Sequence, residues 1–297
     1  MITPTEQRNP RTLAIDAVGT TEILQLVNAE DARVAGAVRA AIPEIARAVD
    51  AAVEAVRSGG RVHYFGAGTS GRLAVLDAAE LLPTFHTPAD LVVAHHAGGM
   101  EALFRAVENV EDSEEGGAAD AATVTELDLV IGLAASGSTP YVAGALRAAR
   151  AAGATTALVT SNPTPPLAAY ADIVIAADTG PEAIAGSTRL KAGTAQKMIL
   201  NSFSTTLMIK LGRTWSNLMV DMVATNNKLR GRMLRILAEA TGADPEACAT
   251  ALVEADGELK PALVHLLSGS PVSEAREALE EAGGRVAVAL GRLGAPA

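Results

Sequence analysis

A chain of 297 residues with 24 basic against 34 acidic side chains carries a net charge of −10, which argues against nucleic acid or an anionic membrane surface as a partner. That length is enough to bury a core as one large domain, or as one domain with a small appendage. A single cysteine, Cys248, excludes an internal disulfide and fits a reducing compartment.

Residues 1–16 carry charges and no apolar run of the kind a signal peptide needs, so a cytoplasmic protein is expected. Residues 5–10 read as a polar, proline-punctuated arm lying on the body or on a partner. From 30 to 57 apolar residues recur at helical spacing, among them Val34, Val38, Ile45, Val49 and Val53, and Pro43 is expected to kink or split that helix. After Gly59-Gly60 the pattern changes. Short β-rich runs at 61–65, 91–95, 128–133, 155–160 and 172–176 alternate with helical stretches near 70–82, 99–108, 115–125 and 139–152. Unbroken apolar strands alternating with helices predict an α/β fold, a doubly wound five-stranded parallel sheet with right-handed crossovers. The longest apolar run, 129–135, falls far short of the ~20 residues of a membrane span. A long helix is expected over 188–211 and a further helical stretch over 215–237. Short helices divided at Gly257, Gly269 and Gly283 follow. The expected division is an N-terminal arm with helices (1–58), the sheet domain with its long helix (59–234) and a small three-helix appendage (235–297).

Chemistry concentrates at the ends of the predicted strands. The first run leads into Gly66-Ala67-Gly68-Thr69-Ser70-Gly71-Arg72, where glycines bring backbone close to a ligand and the helix that follows offers unpaired amides and a favourable dipole to an anion. Thr69 and Ser70 add hydroxyls. The same glycines satisfy G-x-G-x-x-G, but the acidic ribose partner of a dinucleotide site is missing, since the next strand ends in His95-His96. A phosphosugar cradle, a nucleotide site and a simple capped turn all remain open on this loop alone. A second turn, Ala135-Ser136-Gly137-Ser138-Thr139-Pro140, follows the third strand, and ligands of open α/β sheets bind beyond strand carboxyl ends. Each turn alone is also explained by N-capping. A third cluster, Pro181-Glu182-Ala183-Ile184-Ala185-Gly186-Ser187-Thr188-Arg189-Leu190-Lys191, again places hydroxyls before a long helix, now with cations beside them.

Two carboxylates stand out. Glu80 is an isolated acid in an apolar run that stops at Pro83, and Glu111 sits within an acidic run, 107–115, most of which reads as a solvated face. The five histidines show no metal-ligand spacing, and no arrangement for nucleophilic catalysis is evident.

These motifs together resemble the sugar-isomerase (SIS) phosphosugar-binding domain and, more narrowly, the N-acetylmuramic acid 6-phosphate etherase family. The supporting stretches are 5–10, 66–74, 77–85, 111–113, 135–140, 186–197 and 226–229. Glucokinase regulatory protein shares several of them in a chain with two such domains. The resemblance implies a cytoplasmic, cofactor-independent homodimer that cleaves the lactyl ether of N-acetylmuramate 6-phosphate. It carries the two catalytic acids onto Glu80 and Glu111. The substrate-binding residues expected are Gly68, Thr69, Ser70, Ser136, Ser138, Thr139, Ser187, Thr188 and Lys191. For Glu80 to donate a proton at neutral pH, burial beside Leu81 and Leu82 has to raise its pKa. On one continuous helix Ser70 and Glu80 lie ~15 Å apart, too far for one hexose phosphate, so Glu80 is expected to complete the partner subunit's site. An aldose–ketose isomerase and a non-catalytic phosphosugar sensor are the alternatives.

Overall fold

The structure is a computed structural model and describes residues 3–105, 107–222 and 227–296; Asn226 of the 226–229 stretch lies outside them. Five parallel strands form the sheet: β1 (Val62–Gly66), β2 (Val92–His96), β3 (Leu129–Leu133), β4 (Thr155–Thr160) and β5 (Ile173–Ala176), in the order β2-β1-β3-β4-β5. Every residue of β1 and of β3 is buried, as expected of strands covered on both faces. The first 61–65 run is shifted by one residue and ends on Gly66, which pairs with His96 on one side and Leu133 on the other.

Ahead of the sheet lie helices α1 (Thr20–Asp31), α2 (Val34–Ala40) and α3 (Ile42–Arg57). Pro43 sits in the first turn of α3, where its missing N–H costs nothing; the predicted helix is split there, and broken a second time before Val34. The N-terminal arm is tied to the chain by backbone and side-chain bonds: Gly186 donates its N–H to Thr5 O at 2.9 Å, Asn9 Nδ2 donates to Pro181 O at 3.1 Å and Thr12 Oγ1 donates to Ala183 O at 2.8 Å.

Between strands run α4 (Gly68–Phe85), α5 (Gly99–Phe104), α6 (Glu114–Asp120) and α7 (Pro140–Ala151), and α8 (Lys191–Lys210) follows the sheet. The run containing Glu80 does not stop at Pro83: α4 carries that proline inside and continues to Phe85. Buried polar groups fasten α4 to its neighbours. Tyr64 Oη on β1 and Ser204 Oγ on α8 donate to the two oxygens of Asp77, at 3.1 and 3.0 Å. Burial raises the Asp77 carboxyl above its usual range, against the pull of these two bonds.

By compactness the chain divides at Ser204/Thr205, with Glu80–Pro88 belonging to the second unit. The expected division places a boundary near 235. The second unit corrects the 215–237 reading. A small antiparallel hairpin, β6 (Thr214–Trp215) with β7 (Leu218–Met219), stands where helix was predicted. Its helices are α9 (Asn227–Thr241), α10 (Pro245–Glu254), α11 (Leu259–Ser268), α12 (Val272–Glu281) and α13 (Val286–Arg292). They bury one core that includes Met233, Leu237, Leu263, Ala275 and Leu290, more than the three helices expected. Cys248 is buried in it. Among the described residues no helix is long and apolar enough to cross a membrane.

Candidate active site

Strand order 2-1-3-4-5 reverses its winding between β1 and β3, and a crevice opens beyond the carboxyl ends of the strands at such a point. Both hydroxyl-bearing turns leave from there, 66–71 after β1 and 134–139 after β3. The β1–α4 turn needs its glycines. Gly68 has φ +53°, and a Cβ on Gly71 would stand 2.5 Å from both Gly66 O and the His96 ring, so no other residue lets helix and strand approach this closely. With α4 beginning at Gly68, the amides of 68–70 are the helix's unpaired donors. Ser70 Oγ donates to Gln196 Oε1 at 2.9 Å, and α8 comes close enough that a Cβ on Gly193 would touch the Thr69 methyl at 3.4 Å. The β1–α4 turn and the start of α8 thus form one cluster, with Thr188 O accepting from Gly193 N at 2.8 Å.

In the β3–α7 turn, Ser136 and Ser138 hydroxyls lie 2.9 Å apart. Asn162 Nδ2 donates to Ser136 O at 3.0 Å and fixes the loop from β4. Thr139 occupies the N-cap position of α7, but its side chain makes no cap bond, which leaves the hydroxyl for another partner.

Lys191 departs from expectation. Its side chain is 1% exposed and its ammonium donates to Glu30 and to Pro181 O, so it is an internal tie and is not presented to a ligand. The amides of Lys191 and Ala192 donate to Glu182 at 3.0 and 2.9 Å. The N-terminus of α8 therefore already holds an anion of its own chain. Glu182 is fully buried, and burial raises its pKa against the pull of those two amides. Ser187 and Thr188 stay half-buried just before it.

Glu111 is exposed and lines a cavity of ≈ 430 Å³ together with Gly68, Arg72, His96, Arg105 and Glu108. One acid expected to be catalytic thus shares a cavity with the β1–α4 turn. Its backbone is held, Glu111 O accepting from Tyr141 N at 3.0 Å, while Ser113 caps α6 by accepting from Gly116 N at 2.9 Å. His96 donates a ring N–H to Ala97 O at 2.8 Å, and its other nitrogen lies 3.3 Å from Gly68 O. Glu80 is exposed, in the stretch of α4 that belongs to the second unit. Leu81 is buried but Leu82 is 48% exposed, so the described residues do not supply the apolar burial expected around Glu80. Helix α4 is continuous between Ser70 and Glu80, the condition on which their expected separation rests.

On the opposite face of β2 from His96, His95 stacks on Phe65 with ring centroids 4.2 Å apart and shares a hydrogen bond of 3.0 Å with His63. Burial lowers His95 to about 4, helped by His63 and opposed by Asp120, and burial lowers His63 as well.

The sequence assigns no role to Gln196, Asn162, Arg105 or Glu182. Gln196 carried a signal, because a polar residue sits on the stripe of α8 that also buries Ala192, Ala195, Ile199 and Phe203. The others become visible only in the contacts.

Two hydroxyl turns at a β1/β3 switch point, under a parallel sheet of this order, define a protein of the SIS class. Residues 44–150 match the family described as glucokinase regulatory protein N-terminal SIS domain, and residues 100–205 match the SIS domain family. A phosphoheptose isomerase from Francisella tularensis shares the fold, with a TM-score of 0.50 at 21% identity, covering 63% of this chain and 98% of the other. An N-acetylmuramic acid 6-phosphate etherase of Thermobifida fusca (strain YX) is 62% identical over 265 residues, 89% of this chain and 87% of that protein. One of Salmonella dublin is 53% identical over 287 residues, 96% of this chain and 97% of the other. This chain belongs to the N-acetylmuramic acid 6-phosphate etherase family.

Proposed function

We propose that this chain cleaves the D-lactyl ether of N-acetylmuramate 6-phosphate to N-acetylglucosamine 6-phosphate and D-lactate. The observation that carries the reading is near-full-length identity of 53% and above to etherases. The cavity that joins Glu111 to the β1–α4 turn agrees with it. In the open-chain sugar the C2 proton is acidified by the C1 aldehyde, and the ether oxygen sits on C3. A base takes the C2 proton and the C3–O bond breaks. The departing lactate oxygen receives a proton, leaving an α,β-unsaturated aldehyde. Water then adds at C3 and a proton returns to C2, so atoms balance with no redox step and no cofactor. The enzyme is on this reading a carbon–oxygen lyase of the cytoplasm. Each positioned acid or base contributes ~10²–10⁴-fold.

Amides 68–70 with Thr69, Ser70, Ser136, Ser138, Thr139, Ser187 and Thr188 bind phosphate and sugar hydroxyls, and Lys191 is removed from that set. Glu111 serves as acid/base partner and Glu80 as proton donor to the leaving group. Glu80 is exposed on its own chain and lies ~15 Å along α4 from Ser70; both facts support assigning it to the second subunit of a homodimer, whose surface then supplies its desolvation. Reaction in H₂¹⁸O followed by mass spectrometry tests the chemistry: D-lactate with ¹⁸O on C3 of the sugar is expected. Binding without lactate release points to a sensor or an isomerase. Mixed Glu80→Ala and Ser70→Ala subunits test the sharing, and no recovered activity on mixing would overturn it.

A further inference from the structure

We infer that Arg105 binds the lactyl carboxylate and so makes the site select a muramyl ether over phosphosugars that lack this acid. The inference rests on the substrate proposed above. That substrate carries two anionic groups of different shape. The phosphate is served by amides and hydroxyls, which need no cation. The lactyl group hangs on C3, beside the reacting atoms, so its carboxylate enters the cavity that contains Glu111.

Three carboxylates line that cavity, Glu108, Glu111 and Asp112, against two guanidinium groups, Arg72 and Arg105. An entering carboxylate therefore meets a wall that repels it unless a cation is free to pair with it. Arg72 is not free. Its Nε donates to Leu103 O at 2.8 Å, and its Nη2 donates to Ala102 O at 2.7 Å and Arg105 O at 3.4 Å. Those bonds anchor the end of α5 and fix the backbone of Arg105 itself. The Arg105 side chain is exposed and makes no ion pair among the described residues. It offers a planar fork of donors that matches a carboxylate in bidentate fashion, on a backbone already positioned by its neighbour. Arg72 is thus the strut and Arg105 the ligand-facing cation.

The test compares two ligands that differ by the lactyl group, N-acetylmuramate 6-phosphate and N-acetylglucosamine 6-phosphate, on a Glu80→Ala chain, which lacks the proposed proton donor and so does not consume the first ligand, alone and combined with Arg105→Ala or Arg105→Lys. A charge-assisted contact of this kind predicts that Arg105→Ala weakens binding of the muramyl ligand by about 10–100-fold. The glucosamine ligand should change by less than about twofold, a null effect set against the same scale. Arg105→Lys should recover part of the loss, since an ammonium keeps charge but lacks the fork. Equal loss for both ligands would mean that Arg105 holds phosphate or the loop, and no loss for either would mean that it faces solvent; both overturn the inference. Binding is read directly, so absence of lactate release from the wild-type chain would sink the proposed activity while the selectivity of Arg105 is still decided.

Discussion

Ser70 on the β1–α4 turn donates its hydroxyl hydrogen to Gln196 Oε1 on α8 at 2.9 Å, and Gln196 Nε2 is buried with no hydrogen-bond partner among the described residues. A serine has one hydrogen to give. It cannot serve both the amide oxygen and a phosphate. Binding phosphate therefore calls for the Gln196 amide to turn over, so that Nε2 donates to Ser70 and frees its hydrogen for the ligand.

Gln196→Glu should be the more damaging of two substitutions, because a carboxylate only accepts and locks the Ser70 hydrogen while adding negative charge. KM is expected to rise by about tenfold or more, with a smaller rise for Gln196→Met. In a Ser70→Ala background the difference between the two should disappear, a coupling that a double-mutant cycle reads. Additive effects would place the Gln196 contribution elsewhere.

Lys191 and Arg11 converge on Glu30, which is 3% exposed. Pairing with Arg11 holds Glu30 down to about 2, with Lys191 adding to it against the opposing effect of burial. Lys191→Met removes one partner of a buried charge and should cost about 3 kcal/mol of stability, seen as a lower urea midpoint with an unchanged slope. Substrate KM should not move. Since the folded pKa lies below the ordinary 4.5, the stability contributed by Glu30 is complete above about 4.5 and is lost as pH falls through about 2.

His95 carries the same sign in a higher pH window. Its folded pKa near 4 lies below the ordinary 6.5, so the unfolded chain takes up the proton first and stability falls as pH drops from about 6.5 to about 4. The loss is on the order of 3 kcal/mol, at 1.36 kcal/mol per pH unit across that window. Urea midpoints measured between pH 7 and 4 should decline in the wild type and decline less in His95→Gln. Parallel curves would show that His95 is not the group responsible.

Gly144 on α7 lets α6 lie against it; a Cβ there would stand 1.9 Å from Glu114 O. Gly144→Ala has to push α6 away, and with it the Ser113 cap and the segment from Glu111. A cost of about 1–3 kcal/mol is expected, together with a fall in kcat/KM of about tenfold, the price of misplacing an acid by an ångström or less. Gly291→Ala on α13 meets nothing within 4 Å and should instead stabilise by up to about 1 kcal/mol.

The five strands were legible because each is a short apolar run bounded by turn residues, and a parallel sheet buries both faces of such a run. The hydroxyl turns after β1 and β3 were legible for a related reason, as glycine and hydroxyl residues at a strand end announce a tight turn into a helix. Residues 215–219 fall in a stretch whose pattern predicts helix, yet they belong to a hairpin, because a two-residue antiparallel pairing is decided by the partner strand and leaves no periodic trace. Pro83 predicts a stop, although α4 continues through it to Phe85.

Charge was the least readable property. Lys191 stands beside Ser187 and Thr188 in sequence and looks like part of a ligand site, yet Glu30, 161 positions away, draws its ammonium into the interior. Glu182 likewise takes the amides at the start of α8 that the pattern seemed to reserve for a ligand. Local order along the chain determined the five strands, the two turns and the family. Which charged group faces a ligand and which is neutralised inside was decided by tertiary structure alone, because desolvation and ion pairing depend on neighbours that only folding brings together.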